Sequence, residues 1–284
     1  MKLLLINSSG RTGGNTARVM DELEENLVAI ARSKGLTLTC ERVSLARLSL
    51  KPCVGCRVCF DRGEAFCPQQ DELLTLYERM RAADGYVIAS PVYVEDVNGI
   101  LKTMIDRMAF LCHRPALYGK SALLFTTSGI GSSRHALTTM TKAFGTWGIK
   151  TAATMQLSLG ALMPREQVSA QCGKKVASAA RRFIDVLAQT PFRPSFYSLI
   201  AFTVQQTLWG RPRVDHASLD YRYWQETGWL DRKRWYYDPA QKHSLKALLA
   251  RVLDKLIAQF FLETTNDQIF LFWSEYGIGN RSPA

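Results

Sequence analysis

The stretch Lys2–Val19, KLLLINSSGRTGGNTARV, decides the fold. Its first six residues, KLLLIN, form a short continuous apolar run, the pattern of a strand covered on both faces. A glycine-rich turn follows. From about Asn15, Val19, Leu23, Leu27 and Ile30 recur at helical spacing until Gly35 ends the helix. In an open parallel sheet, ligands bind outside the carboxyl ends of the strands, which is where NSSGRTGGNT falls. Glycines let the backbone approach an anion, and the hydroxyls of Ser9 and Thr16, the Asn15 amide and the free N–H groups of the helix start then point at a phosphate. A plain glycine turn capped by Asn15 or Thr16 uses the same residues, and the loop's position favours the phosphate. The loop carries neither the lysine of a nucleotide-hydrolysing P-loop nor the spacing of the dinucleotide fingerprint.

The alternation continues along the first two thirds of the chain. Strands are predicted at TLTCERVSL (37–45), GYVIAS (85–90, halted by Pro91), SALLFTTS (121–128) and IKTAATMQL (149–157). Helices are predicted at QDELLTLYERMRAA (70–83), GILKTMIDRMAFL (99–111), SRHALTTMTKAFGTW (133–147) and roughly 164–187. Five strands alternating with helices imply an α/β fold with a doubly wound parallel sheet. At QTPFRPSF two prolines break the pattern, and an aromatic-rich segment, DYRYWQETGWLDRKRWYYDPAQ, lies beyond. The chain thus divides into a sheet domain over 1–190, with a cysteine-rich insertion at 51–70, and a mainly helical extension over 191–284. In its last helix Leu245, Leu249, Val252, Leu256 and Phe260 form one apolar face. The final twenty residues carry too much apolar surface for a free tail, so the extension is expected to pack on the sheet domain or on a second subunit. Its aromatics are expected to be core, or else a roof over a site.

Composition narrows the function classes. The 284 residues, 47% apolar and 21% charged, are those of a soluble globular protein. The N-terminus is not read as a signal peptide and no window is long enough to span a bilayer, which predicts a cytoplasmic protein with reduced thiols. The net charge of +11 is spread along the chain without the signature of a nucleic-acid module, so no nucleic-acid partner is expected. The four histidines, His113, His135, His216 and His243, lack metal-binding spacing, and there is no G-x-S-x-G nucleophile motif.

INSSGRTGGNTARV (6–19) resembles the INGSPRxxGNTxxL opening of the flavodoxin-like NAD(P)H-dependent FMN reductases. Ser9, Arg11, Gly14, Asn15 and Thr16 fall on matching positions, while Ser8 and Gly10 replace the family's Gly and Pro. SPVYVEDVNGILKTMIDR (90–107) is similar to the family's TPVYxxxxxxxLKxxxDR, and YGKSALLFTTSGIGSSR (118–134) is a third match. The resemblance covers roughly residues 1–190. It implies that Pro91, Val92, Tyr93 and Asn98 contact the isoalloxazine or ribityl chain of FMN. It further implies that Thr127, Ser128, Gly129 and Gly131 lie on the other side of the ring.

Four of the seven cysteines crowd into KPCVGCRVCFDRGEAFC (51–67) as C-x2-C-x2-C-x7-C. Such a run of Cys53, Cys56, Cys59 and Cys67, with Pro68 after the last, is closer to iron–sulfur ligation than to the separated knuckles of structural zinc. Zinc and a packed loop of reduced thiols remain open alternatives. Gly55 and Gly63 would relieve crowding in the turns. Cys40, Cys112 and Cys172 are isolated and read as ordinary buried or half-buried residues. Beside the flavin motifs the segment resembles that of the iron–sulfur flavoproteins, whose last gap is usually shorter. That resemblance implies a [4Fe–4S] cluster and a homodimer or homotetramer in which one subunit's cysteine segment approaches the flavin of another.

The combined expectation is an FMN-dependent NAD(P)H oxidoreductase passing electrons through a cluster to a small-molecule or protein acceptor, with no side chain required as acid or base. The alternatives are an FMN and cluster electron-transfer protein without a nicotinamide site, and a flavodoxin-fold module holding structural zinc.

Overall fold

The first strand, β1 (Lys2–Asn7), lies inside the sheet, pairing in parallel with β2 (Thr39–Ser44) on one side and β3 (Gly85–Tyr93) on the other. A two-residue β4 (Asp96–Val97) folds back antiparallel onto the end of β3, which itself pairs with β5 (Ser121–Ser128), and β5 with β6 (Lys150–Ser158). The order β2-β1-β3-β5-β6, all parallel, is the doubly wound flavodoxin arrangement with β4 as a small addition. The computed structural model describes residues 1–264 apart from 131–132, 161–162, 212–213 and 242–243, with side chains described as far as Asp254.

The apolar run of β1 is buried on both faces, as its pattern requires. Leu3 and Leu5 pack with Val19, Leu23 and Leu27 of α1 (Asn15–Ser33) and with Val176 and Phe183 of a later helix, α6 (Arg165–Leu187). Leu4 and Ile6 face the opposite layer. Between β2 and that layer lies a single turn, α2 (Val58–Asp61), and then come α3 (Leu73–Ala82), α4 (Gly99–Arg107) and α5 (Arg134–Thr146). Leu76, Met80, Met104, Met140 and Phe144 fill this second core. One prediction is corrected: Pro91 does not halt β3, which runs on to Tyr93. β1 stops pairing at Ala89, so a residue without an N–H is tolerated where one side of β3 is already free.

Beyond Thr190 the chain forms α7 (Phe196–Trp209), α8 (Leu219–Glu226) and α9 (Leu245–Thr264). Ser195 and Ser218 cap the first two, accepting from the N–H of Ser198 at 3.1 Å and of Tyr221 at 3.2 Å. The aromatics are core: Phe202, Trp224, Trp229, Tyr236 and Tyr237 bury one another. They dock on the sheet domain, where Trp224 Nε1 donates to the His113 carbonyl at 2.7 Å and the Tyr197 ring lies against Gly145. The apolar face expected of the last helix is not the buried one. Ala247, Ala250 and Asp254 are buried, while Leu245, Leu249 and Val252 are exposed. Ala247 and Ala250 are the residues of α9 that pack into the aromatic cluster. Leu256, Phe260 and the final twenty residues lie outside the described side chains. Among the described residues no helix is long and apolar enough to cross a membrane.

Candidate flavin and cysteine site

The loop between β1 and α1 is shaped from within. Asn7 Oδ1 accepts from the Ser9 N–H at 2.9 Å, Ser9 Oγ accepts from the Arg11 N–H at 3.2 Å, and the Gly14 N–H donates to the Arg11 carbonyl at 3.2 Å. The N-cap of α1 is Gly14, and among the described residues no side chain caps it and no acid occupies its first turn. Its first N–H groups therefore carry the partial positive charge of the helix dipole unopposed. A Cβ added at Gly10 or Gly13 would meet nothing within 4 Å, so both glycines of the exposed loop border open space. That combination fits a phosphate.

The alternative of a side-chain-capped turn is not realised, because Asn15 and Thr16 are engaged elsewhere. Asn15 Nδ2 donates to the carbonyls of Leu159 and Gly160 at 3.2 and 3.3 Å, and its Oδ1 accepts from the Met163 N–H at 3.0 Å. The amide thus ties the loop after β6 to α1. The Thr16 and Thr127 hydroxyls meet at 2.7 Å, linking the phosphate loop to the end of β5. Asn98 Nδ2 donates to the Ser8 carbonyl at 2.6 Å, and its N–H donates to Ser90 Oγ at 3.2 Å. Three loops predicted from separate motifs are brought to one edge of the sheet. Asn15, Thr16, Asn98 and Thr127 lock them together, while Arg11 and Gly129 are exposed, Ser9 and Ser128 buried, and Pro91 and Val92 half-buried. Tyr93 is exposed at the start of a two-residue turn whose Val94 and Glu95 have φ of 50° and 67°. Gly131 lies outside the described residues.

The cysteine segment follows β2. Left-handed φ values of 68° at Gly55 and 111° at Gly63 show why glycine stands there. The Gly55 N–H donates to Cys53 Sγ at 3.5 Å. Cys53 and Cys56 are exposed, Cys59 and Cys67 half-buried. The Cys59 thiol is pushed up to about 11 by burial first and then by Cys53, Cys67 and Cys56, while Arg114 acts the other way. Among the described residues, however, no three His, Cys, Asp or Glu side chains close on a single ion position.

Two buried arginines hold this segment, and sequence reading missed both. Arg107 donates to the carbonyls of Lys51 at 2.7 Å and Gln69 at 2.8 Å, spanning the segment's two ends, and pairs with Asp71. Its Nε is buried without a hydrogen-bond partner among the described residues. With Cys59 and Cys67 it lines a cavity of about 20 Å³. By donor type the thiols and this N–H suit a soft, anionic centre, while the cavity itself has room for about one water molecule. Arg114 donates to the Cys59 carbonyl at 2.8 Å and to Glu64 at 3.0 Å. Arg107 ends the LKTMIDR motif, a signal that was there to be used; Arg114 stands in no motif.

Helices on both faces of a parallel sheet in the order β2-β1-β3-β5-β6 define the flavodoxin-like fold. The chain belongs to the NADPH-dependent FMN reductase family, whose model matches residues 1–162. An iron–sulfur flavoprotein of Archaeoglobus fulgidus is 31% identical over 150 residues, which are 52% of this chain and 64% of that protein. One of Methanocaldococcus jannaschii is 37% identical over 107 residues, 38% of this chain and 51% of its own length. The chain therefore spans between half and two thirds of these relatives. RosB, solved with bound 8-demethyl-8-formylriboflavin 5′-phosphate, shares the fold at 18% identity and a TM-score of 0.50, covering 73% of this chain and 81% of RosB.

Proposed function

We propose that the protein is an FMN-dependent NAD(P)H oxidoreductase of the iron–sulfur flavoprotein kind. The open glycine cradle at the uncapped start of α1 carries this reading. The N–H groups of that helix start, with Ser9, Arg11 and Gly14, hold the FMN phosphate. Asn15 and Thr16 fix the loop's shape through Met163 and Thr127. Pro91, Val92 and Tyr93 border one side of the flavin ring and Thr127, Ser128, Gly129 and Gly131 the other, with Asn98 tying the loop after β3 to the phosphate loop through the Ser8 carbonyl. Bound FMN supplies the exchange of a hydride from NAD(P)H for electrons delivered singly or in pairs. No side chain is required as acid or base.

Cys53, Cys56, Cys59 and Cys67 are the proposed ligands of a [4Fe–4S] cluster, supported by the donor set, the two clamping arginines and the names of the relatives. The acceptor is a small molecule or protein. The setting is a reducing, cytoplasmic one, in keeping with seven free cysteines. The assembly is a homodimer or homotetramer, which light scattering of the purified chain checks.

Anaerobic purification followed by spectra and iron and sulfide assays tests the whole proposal. Yellow protein with both elements and rapid bleaching by NADH or NADPH is the expected result. Yellow protein without iron and sulfide removes the cluster, and zinc in their place selects the structural-zinc reading. Flavin that no nicotinamide bleaches selects a pure electron-transfer protein. Colourless protein that takes up no FMN removes the flavoprotein.

A further inference from the structure

The cysteine segment has little structure of its own. A four-residue helix and one 3-10 turn, Glu64–Phe66, are all the regular hydrogen bonding between Lys51 and Gln70. Elements this short do not hold themselves in water, so the positions of the thiols are imposed from outside. Part of that imposition comes from the C-terminal extension. Arg114, buried beneath the segment, reaches three acceptors at once: the Cys59 carbonyl, Glu64 and the Asp220 carboxylate of α8. Asp220, only 5% exposed, also has its Oδ2 2.6 Å from His113 Nδ1. Neighbouring contacts follow the same line. Trp224 and Gln205 of the extension bond the carbonyls of His113 and Cys112, the Phe60 ring lies 4.7 Å from the His113 ring, and Leu219 is 3.7 Å from the position of a Cβ on Gly63.

We infer that Asp220 is a positioning residue through which the C-terminal extension fixes the four-cysteine segment. A buried guanidinium keeps its place only while a countercharge is present. Without the Asp220 carboxylate, the countercharge left to Arg114 is Glu64, which belongs to the segment itself, so the segment loses its tie to the extension and its middle loosens. The consequence for a cluster rests on the proposed function, but the positioning itself does not.

The test is hydrogen–deuterium exchange of the full-length chain, as purified and after removal of metal. Asp220→Asn is compared with Thr207→Val, which removes a bond to Asp254 at 2.6 Å elsewhere in the extension. In Asp220→Asn the amides of residues 56–67 exchange about tenfold faster or more, in both preparations, while Thr207→Val leaves them unchanged. Iron and sulfide retained after anaerobic reconstitution fall in Asp220→Asn alone. Faster exchange in a chain that never takes up iron upholds the positioning and fails only the cluster. Exchange at 56–67 equal to the parent's, or acceleration confined to 219–226, overturns the inference. If Asp220→Asn does not fold, Arg114→Lys decides on the same criteria, because an ammonium keeps the charge but cannot reach all three acceptors.

Discussion

Arg107 donates to Asp71 across 2.7 Å, and each side chain is 2% exposed. Burial opposes the charge on Asp71, but the guanidinium and the N–H groups of Lys51 and Leu73 outweigh it and hold the carboxyl below the usual range. The pair closes the base of the cysteine segment, since the same guanidinium bonds the carbonyls of Lys51 and Gln69.

Arg107→Met or Asp71→Asn alone therefore costs about 3–5 kcal/mol, because each leaves a buried charge or its acceptors unmatched. With a depressed folded value, the pair's stabilisation is present above the unfolded carboxylate value of about 3.9 and is lost as pH falls through the folded one. Denaturation midpoints between neutrality and the acid limb check this. Asp71→Asn flattens the acid limb, and an unchanged limb refutes the assignment.

Val94 is a β-branched residue held at φ 50° in the turn between β3 and β4. Replacing Val94 and Glu95 with Asn and Gly, the residues such a turn favours, is expected to stabilise the protein by about 1–3 kcal/mol. Urea denaturation measures the gain. If the proposed flavin contact at Tyr93 depends on that strained geometry, FMN affinity falls in the same variant.

Gly13 faces the open space of the phosphate loop. Gly13→Glu places a carboxylate before the helix N-terminus, and FMN binding weakens by at least about tenfold while the melting temperature of the flavin-free chain is kept. Flavin fluorescence titration reads the first effect and circular dichroism the second.

Cys40 is half-buried, and burial, then Glu24, push its thiol up to about 11. In metal-free, reduced protein at pH 8 only about a thousandth of it is thiolate, so iodoacetamide labels the exposed Cys53 and Cys56 first. Labelling of Cys40 rises about tenfold per pH unit toward pH 11, which mass spectrometry of timed samples follows.

A Cβ on Gly145 would stand 2.7 Å from the Tyr197 ring of α7. Gly145→Ala is thus expected to destabilise the chain by about 1–3 kcal/mol through the dock of the extension. Tyr197→Ala in the same background recovers part of the loss, which a double-mutant cycle quantifies.

Local patterns were enough for much of the fold. The five parallel strands, the helices between them and the place of the phosphate loop follow from short apolar runs, from the 3.6-residue period and from glycine punctuation within a dozen residues. The halt at Pro91 was misread because whether proline interrupts a strand depends on a neighbour, β1, eighty residues earlier. The apolar stripe of α9 was visible as a stripe, yet which side it turns inward depended on aromatics already filling the core.

At the candidate site the division is sharper. The sequence by itself marked the cradle residues and the four cysteines, since each sits in a short motif with its own chemistry. Only the tertiary structure decided that Asn15 binds the loop after β6, more than 140 residues on. It alone joined Thr16 to Thr127, and Arg114 to Asp220 across 106 positions. Such pairs obey no period. They arise because crossover connections stack distant loops at one sheet edge, and because buried polar groups, once there, must find partners among whatever the packing has brought near.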